Sequence, residues 1–278
     1  MSVIKLICID LDGTLLNDEK KVSETDRCTI QHARTKGINV TIFTGRNYYA
    51  ALPYVQELGI EIPVVFQNGA LIATPSVNKI FRMITLDSKI AMETIRLSKK
   101  YGLFPVVYES FFSRQDMLLE NDYYGVFESY FKFNQSRIKK IDRLESFLLT
   151  TKSIAEVAIV GKDILIENLT RDLLKNSDGF TLVKNQQIDS EVFMEVFGKD
   201  VGKEIALDFL LHLFNIDISE VAYIGDNYND LKIMQKVGFP IAMQNAPQDV
   251  KDVAKFVTLS NNDSGVSLAI ERVMEAMK

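Results

Sequence analysis

The sequence predicts an α/β protein built on a doubly wound parallel sheet, with a second, α+β domain inserted into it. Three observations carry this reading. Strand and helix patterns alternate at both ends of the chain. That rhythm breaks in the middle. The 278 residues also exceed what one hydrophobic core usually serves, so about two domains are expected.

Val3 to Ile9 is nearly all apolar and β-branched, with Lys5 the one interruption, as in a parallel strand buried on both faces. Ser23-Glu24-Thr25-Asp26 has capping-box spacing and opens a helix that Gly37 stops. Ile38 to Phe43 is a second strand, ending in Thr44-Gly45-Arg46. After another helical stretch, strand Pro63 to Gln67 meets an Asn68-Gly69 turn into Ala70-Leu71-Ile72, a hairpin signal. Asp87 caps a helix to Tyr101 that Gly102 closes. Strand-like runs follow at Ile154 to Val160, Phe180 to Val183 and Val192 to Phe197, with helix Ile164 to Lys175 among them. The alternation then returns as helix Lys203 to Phe214, strand Val221 to Ile224, helix Asp230 to Val237, strand Ile241 to Met243 and helix Val266 to Met277. The division this suggests is 1–84 plus 194–278 for the alternating domain and 85–193 for the insertion.

Composition narrows the function. With 32 Lys+Arg against 37 Asp+Glu the net charge is −5, which gives no broad attraction for nucleic acid or an anionic membrane. A phosphate-bearing ligand must therefore be held by a local site. Cys8 and Cys28 cannot make a disulfide framework, no Cys/His spacing suits zinc, and no apolar run approaches the length of a membrane span. The apolar N-terminus runs into Asp10 and Asp12 with little positive charge ahead of it, unlike a signal peptide. The expectation is a reduced, cytoplasmic, soluble protein, monomer or homodimer.

Asp10-Leu11-Asp12-Gly13-Thr14 stands at the carboxyl end of the first strand, where open α/β sheets bind ligands. In extended chain Asp10 and Asp12 project to the same side, and two carboxylates ~4 Å apart repel by about 4 kcal/mol at an effective dielectric near 20. A site keeps such a pair for a hard cation or a shared proton; a solvated turn is the plainer alternative. Gly225-Asp226-Asn227-Tyr228-Asn229-Asp230 follows another apolar strand, so Asp226 can converge on Asp10 and Asp12, and three carboxylates with water suit Mg²⁺. By itself this segment is a turn with Asn229 or Asp230 capping the next helix. In Thr44-Gly45-Arg46 the hydroxyl and following amides suit a phosphate oxygen or ordinary capping. Lys203 begins a helix, where a lone lysine is ordinarily solvated; it stands against the dipole, which a bound anion would explain, and the spacing before it is not that of a P-loop. The aromatic stretch around Tyr123 and Tyr124 lines a substrate site or, more in keeping with its spacing, a core. The charges from Arg137 to Arg143 suit a solvated face, and His32 and His212 lie on helix surfaces. Together, the acids, hydroxyl and cation fit phosphoryl transfer, which works by positioning and charge neutralisation.

In order, Asp10-Leu11-Asp12-Gly13-Thr14, Thr44-Gly45-Arg46, Lys203 and Gly225-Asp226-Asn227-Tyr228-Asn229-Asp230 resemble the four motifs of the haloacid dehalogenase superfamily. The chain further resembles its Cof-type sugar-phosphatase branch, which carries a type IIB cap. Gln67-Asn68-Gly69-Ala70, Ala242-Met243-Gln244-Asn245-Ala246 and Asp263-Ser264-Gly265-Val266 add to the likeness, although Gln244 and Glu204 stand where glycine is usual. The resemblance implies a Rossmann-like core, residues 85–193 as the cap that selects substrate, and a Mg²⁺-dependent phosphatase of small phosphorylated metabolites, with neither nucleic acid nor membrane as partner. It implies Asp10 as nucleophile and Asp12 as acid and base. Mg²⁺ would be held by Asp10, Asp12 (through its carbonyl) and Asp226, and the phosphoryl group by Leu11, Thr44, Gly45, Lys203 and Asn229. Asp230 would orient Lys203 or a metal-bound water, and Arg46 would touch substrate. A phosphomutase or phosphotransferase with the same nucleophile is the alternative, and a phospho-aspartate signalling module a more distant one.

Overall fold

The computed structural model describes residues 3–277. The chain divides into two compact units, Met1–Arg82 with Gly202–Lys278, and Met83–Val201. The second boundary differs from the expected 193/194. Strand Glu191–Gly198 is hydrogen-bonded on both edges inside the inserted unit, to Phe180–Ile188 and to Glu156–Lys162. Apolar patterning identifies a strand there without saying which sheet it joins.

In the core unit five parallel strands stand in the order Phe256–Val257, Phe239–Ala242, Val221–Gly225, Leu6–Ile9, Asn39–Ile42. Every residue of Leu6–Ile9 and Val221–Gly225 is buried, as the unbroken apolar runs require. Ile9 lies opposite both Ile224 and Ile42, so the loops leaving these three strands start side by side. Phe43 continues the sheet by a parallel bridge to Val65. Val64–Phe66 and Leu71–Ala73 form the expected antiparallel hairpin. Helix Glu24–Thr35 begins at Ser23, whose hydroxyl accepts the Asp26 amide. Helix Lys203–Phe214 has the predicted bounds. Segment Asp230 to Val237 is more broken than expected: a 3₁₀ turn Tyr228–Asp230, capped by the Asn227 side chain, precedes a short helix Leu231–Met234, at whose N-cap Asp230 stands without a side-chain capping bond.

The inserted unit is a six-stranded sheet in the order Phe180–Ile188, Glu191–Gly198, Glu156–Lys162, Phe104–Tyr108, Met117–Leu119, Ile138–Lys140, antiparallel except for the last pair. Helices Ser88–Lys100, Leu144–Thr150 and Asp163–Leu174 pack on one face, burying Ala91, Ile95, Leu144, Leu148, Ile166 and Leu169 against Val107, Leu118, Val157, Ile159 and Val196. Tyr123 stacks on Phe131 and meets the edge of Phe104, so it is core; Tyr124 is exposed. The solvated face expected from Arg137 to Arg143 is wrong for Arg137. Its guanidinium is largely buried and forks onto the fully buried Asp116, while Lys139, Lys140 and Arg143 are exposed.

Candidate active site

The first two acids of the site follow strand Leu6–Ile9. The Asp10 amide donates to the Ile224 carbonyl at 3.0 Å, keeping it in register with the neighbouring strand. The chain then turns, extended geometry having ended by Leu11, and the Asp12 carboxyl still lies near enough to raise Asp10. Asp12 also faces cations. Arg46 donates to both of its oxygens, Nε at 2.5 Å and Nη2 at 2.7 Å, and Lys20 Nζ lies at 2.8 Å. Desolvation would raise this carboxyl, but the Arg46 fork and Lys20 outweigh it and hold Asp12 well below the usual range. Lys20 carried no signal in the sequence. It sits in a turn eight residues beyond Asp12, and only the fold brings it back.

Asp10 belongs to a second cluster. Lys203, first in its helix and completely buried, donates at 2.6 Å to Asp10 Oδ1 and at 2.6 Å to Asp230 Oδ1. Its charge at a helix N-terminus is thus explained by two carboxylates. The other Asp230 oxygen accepts the amides of Asp226 and Asn227, each at 3.0 Å, which ties the loop after Val221–Gly225 to the same lysine. Asp226 is placed from the other side. Thr14 donates its hydroxyl to Asp226 Oδ1 at 2.7 Å, and Gly13, at φ +78°, passes so close that a Cβ there would lie 2.3 Å from Asp226 Oδ2. Only glycine fits that approach.

Asp10, Asp226 and Asp230 each bring one oxygen within 4.8 Å of the others. Burial first, and then the neighbouring acids, push Asp226 well up. Burial likewise pushes Asp10 up to about 7, against the pull of Lys203. Asp10 and Asp230 in turn hold Lys203 in its charged form despite its burial. One ammonium is too little positive charge for three buried acids. Asp230 already accepts from Lys203, Tyr223 and two amides, so the unbalanced oxygens are those of Asp10 and Asp226. Hard oxygen donors with uncompensated charge fit a cation such as Mg²⁺.

The remaining candidates form a connected wall. Thr44 follows strand Asn39–Ile42, is buried, and accepts the Arg46 amide on its hydroxyl at 3.0 Å. The Asn68 amide donates to the Thr44 carbonyl at 3.0 Å, and the Asn68 side chain accepts from Asn229 Nδ2 at 3.0 Å. Gly45 lies between Thr44 and Arg46, and Leu11 is buried at the turn after Asp10. His32 and His212 are exposed on their helices, and both cysteines are free. Among the described residues no helix is long and apolar enough to cross a membrane.

Acids and a buried ammonium gathered at the carboxyl edge of a parallel sheet suit chemistry on phosphoryl groups. Comparison with known proteins agrees. A model of the haloacid dehalogenase-like hydrolases matches residues 7–270, and the chain belongs to that family as a phosphoric monoester hydrolase of its type. Phosphatase YwpJ of Bacillus subtilis is 28% identical over 98% of this chain and 100% of its own length. A second Bacillus subtilis protein, 5-amino-6-(5-phospho-D-ribitylamino)uracil phosphatase YwtE, is 28% identical over 98% of both. The crystal structure of a haloacid dehalogenase-like hydrolase from Bacteroides thetaiotaomicron superimposes with a TM-score of 0.78 at 26% identity, covering 97% of this chain and 99% of that one.

Proposed function

We propose that this hydrolase is a Mg²⁺-dependent phosphatase of small phosphomonoesters, sugar phosphates or phosphorylated cofactors, acting through an aspartyl-phosphate on Asp10. The observation that supports it best is the buried Lys203 at 2.6 Å from Asp10, beside an acid cluster lacking its balancing charge. Asp10 attacks phosphorus as the ester bond breaks, and Asp12 gives the departing oxygen its proton. Asp12 then takes a proton from the water that attacks the aspartyl-phosphate, releasing phosphate and restoring the Asp10 carboxylate. Because Arg46 and Lys20 keep Asp12 ionised, its acid role requires those contacts to be exchanged as substrate enters. Asp10, Asp226 and the Asp12 carbonyl would hold Mg²⁺, which when bound neutralises charge between the acids and the phosphoryl oxygens. The Leu11 and Gly45 amides, Thr44, Lys203 and Asn229 address those oxygens, and Asp230 steadies Lys203. All of these groups serve the phosphoryl end, so we assign choice of leaving group to residues 83–201. The relative named for a phosphorylated ribitylamino-uracil puts such compounds in the range worth testing.

Release of p-nitrophenol from its phosphate ester tests the reading. It should need Mg²⁺, stop with EDTA and vanish in Asp10→Asn; full activity in that variant would end the assignment.

A further inference from the structure

We infer that Tyr223 is a positioning residue that keeps the Lys203 ammonium available to a phosphoryl oxygen, acting through Asp230. Its kinetic consequence rests on the phosphatase reading; its effect on anion binding does not.

Tyr223 lies on strand Val221–Gly225, is fully buried, and belongs to none of the motifs. Its hydroxyl donates at 2.5 Å to Asp230 Oδ1, the same oxygen that Lys203 holds at 2.6 Å. Burial, Asp230 and Asp10 push the phenol well up, so it remains a donor. The socket is built for this contact. The ring meets Phe43 edge-to-face at 5.9 Å, and Lys203 Nζ stands 6.0 Å from the ring centroid. At Gly225 a Cβ would lie 2.6 Å from Asp230 Cγ and 2.8 Å from Tyr223 Cε1, so a larger residue would part the two groups.

The chemistry follows from counting donors. A buried carboxylate must be matched by charge or by hydrogen bonds. Asp230 receives three neutral donors, Tyr223 and the two amides, so it does not depend on Lys203 alone. Lys203 has three N–H bonds; one goes to Asp230 and one to Asp10, which leaves the third for a phosphoryl oxygen. Without the Tyr223 hydroxyl, Asp230 Oδ1 would keep only the ammonium. Lys203 would be drawn towards Asp230 and away from the ligand.

Tyr223→Phe keeps the ring and its packing. Calorimetric titration with inorganic phosphate at saturating Mg²⁺ should show about tenfold weaker binding, the scale of one hydrogen bond to a charged group. For p-nitrophenyl phosphate, kcat/KM should fall by a similar factor, mostly through KM. Urea unfolding of wild type, Tyr223→Phe, Asp230→Asn and the double variant should be non-additive, since the two groups share one bond. Wild-type phosphate affinity in Tyr223→Phe, even with a lowered melting temperature, would make the tyrosine merely structural and overturn the proposal. Additive unfolding energies would overturn the route through Asp230. If wild type binds phosphate but never hydrolyses the ester, the phosphatase reading fails while the calorimetry still decides on Tyr223.

Discussion

In the inserted unit Asp116 is fully buried, and its two oxygens take the fork of Arg137 at 2.9 and 2.8 Å, with Asn134 accepting from the same guanidinium at 2.8 Å. In the core Asp10, Asp226 and Asp230 are buried almost as deeply, yet among the described residues Lys203 is the one ammonium bonded to them. The first arrangement is closed: charge meets opposite charge in matched geometry, and its role is to hold strand Met117–Leu119 to the segment around Arg137. The second is open, because its acids outnumber its cation. Burial alone therefore does not mark a functional charge; an unbalanced charge does.

That contrast breaks most sharply at Asp10. Asp10→Asn should lower turnover of p-nitrophenyl phosphate by roughly 10⁴ or more, as loss of a nucleophile does, while the protein still folds. Lys203→Met should cost on the order of 10²–10³ in kcat/KM by removing the charge that meets the phosphoryl group. In the closed pair the penalty shifts to stability. Arg137→Met leaves Asp116 buried without its partner and should destabilise the fold by about 3–5 kcal/mol in urea unfolding.

The open cluster should also show itself through pH. Burial pushes the Asp10 carboxyl from its ordinary 3.8 up to about 7, against the pull of Lys203. Between those values the folded state holds a proton that the unfolded chain has released. Stability from this group is therefore full below pH 4 and is lost as pH rises through 7. In EDTA the melting temperature should fall over that window, less steeply in Asp10→Asn. Saturating Mg²⁺ should oppose the fall, because the cation prefers the deprotonated acids. The smallest effect is expected from Lys20→Ala. Lys20 and Asp12 are 34% and 42% exposed, so stability should change by no more than ~1 kcal/mol, measured by the same unfolding curves.

Much of the core could be read along the chain, since buried parallel strands and capped helices leave local signatures. Helix Lys203–Phe214 and the hairpin after Val64–Phe66 are examples. The short strands Met117–Leu119, Ile138–Lys140 and Phe256–Val257 left none, because two or three residues cannot display a period. Within the site, the sequence assigns Thr14 no role, and only the fold brings its hydroxyl to Asp226. Tyr223 looked like one more apolar strand position.

The order of residues thus determined the chemical inventory: acids after two apolar strands, a lysine opening a helix, a threonine after a third strand. Which charge answers which was decided only by the fold. Arg46 and Lys20 answer Asp12, and Arg137, expected in water, closes on Asp116. Spacing along a chain says where side chains leave the backbone. The strength of a charge interaction depends on distance and on the water excluded around it, and both exist only after distant segments have packed.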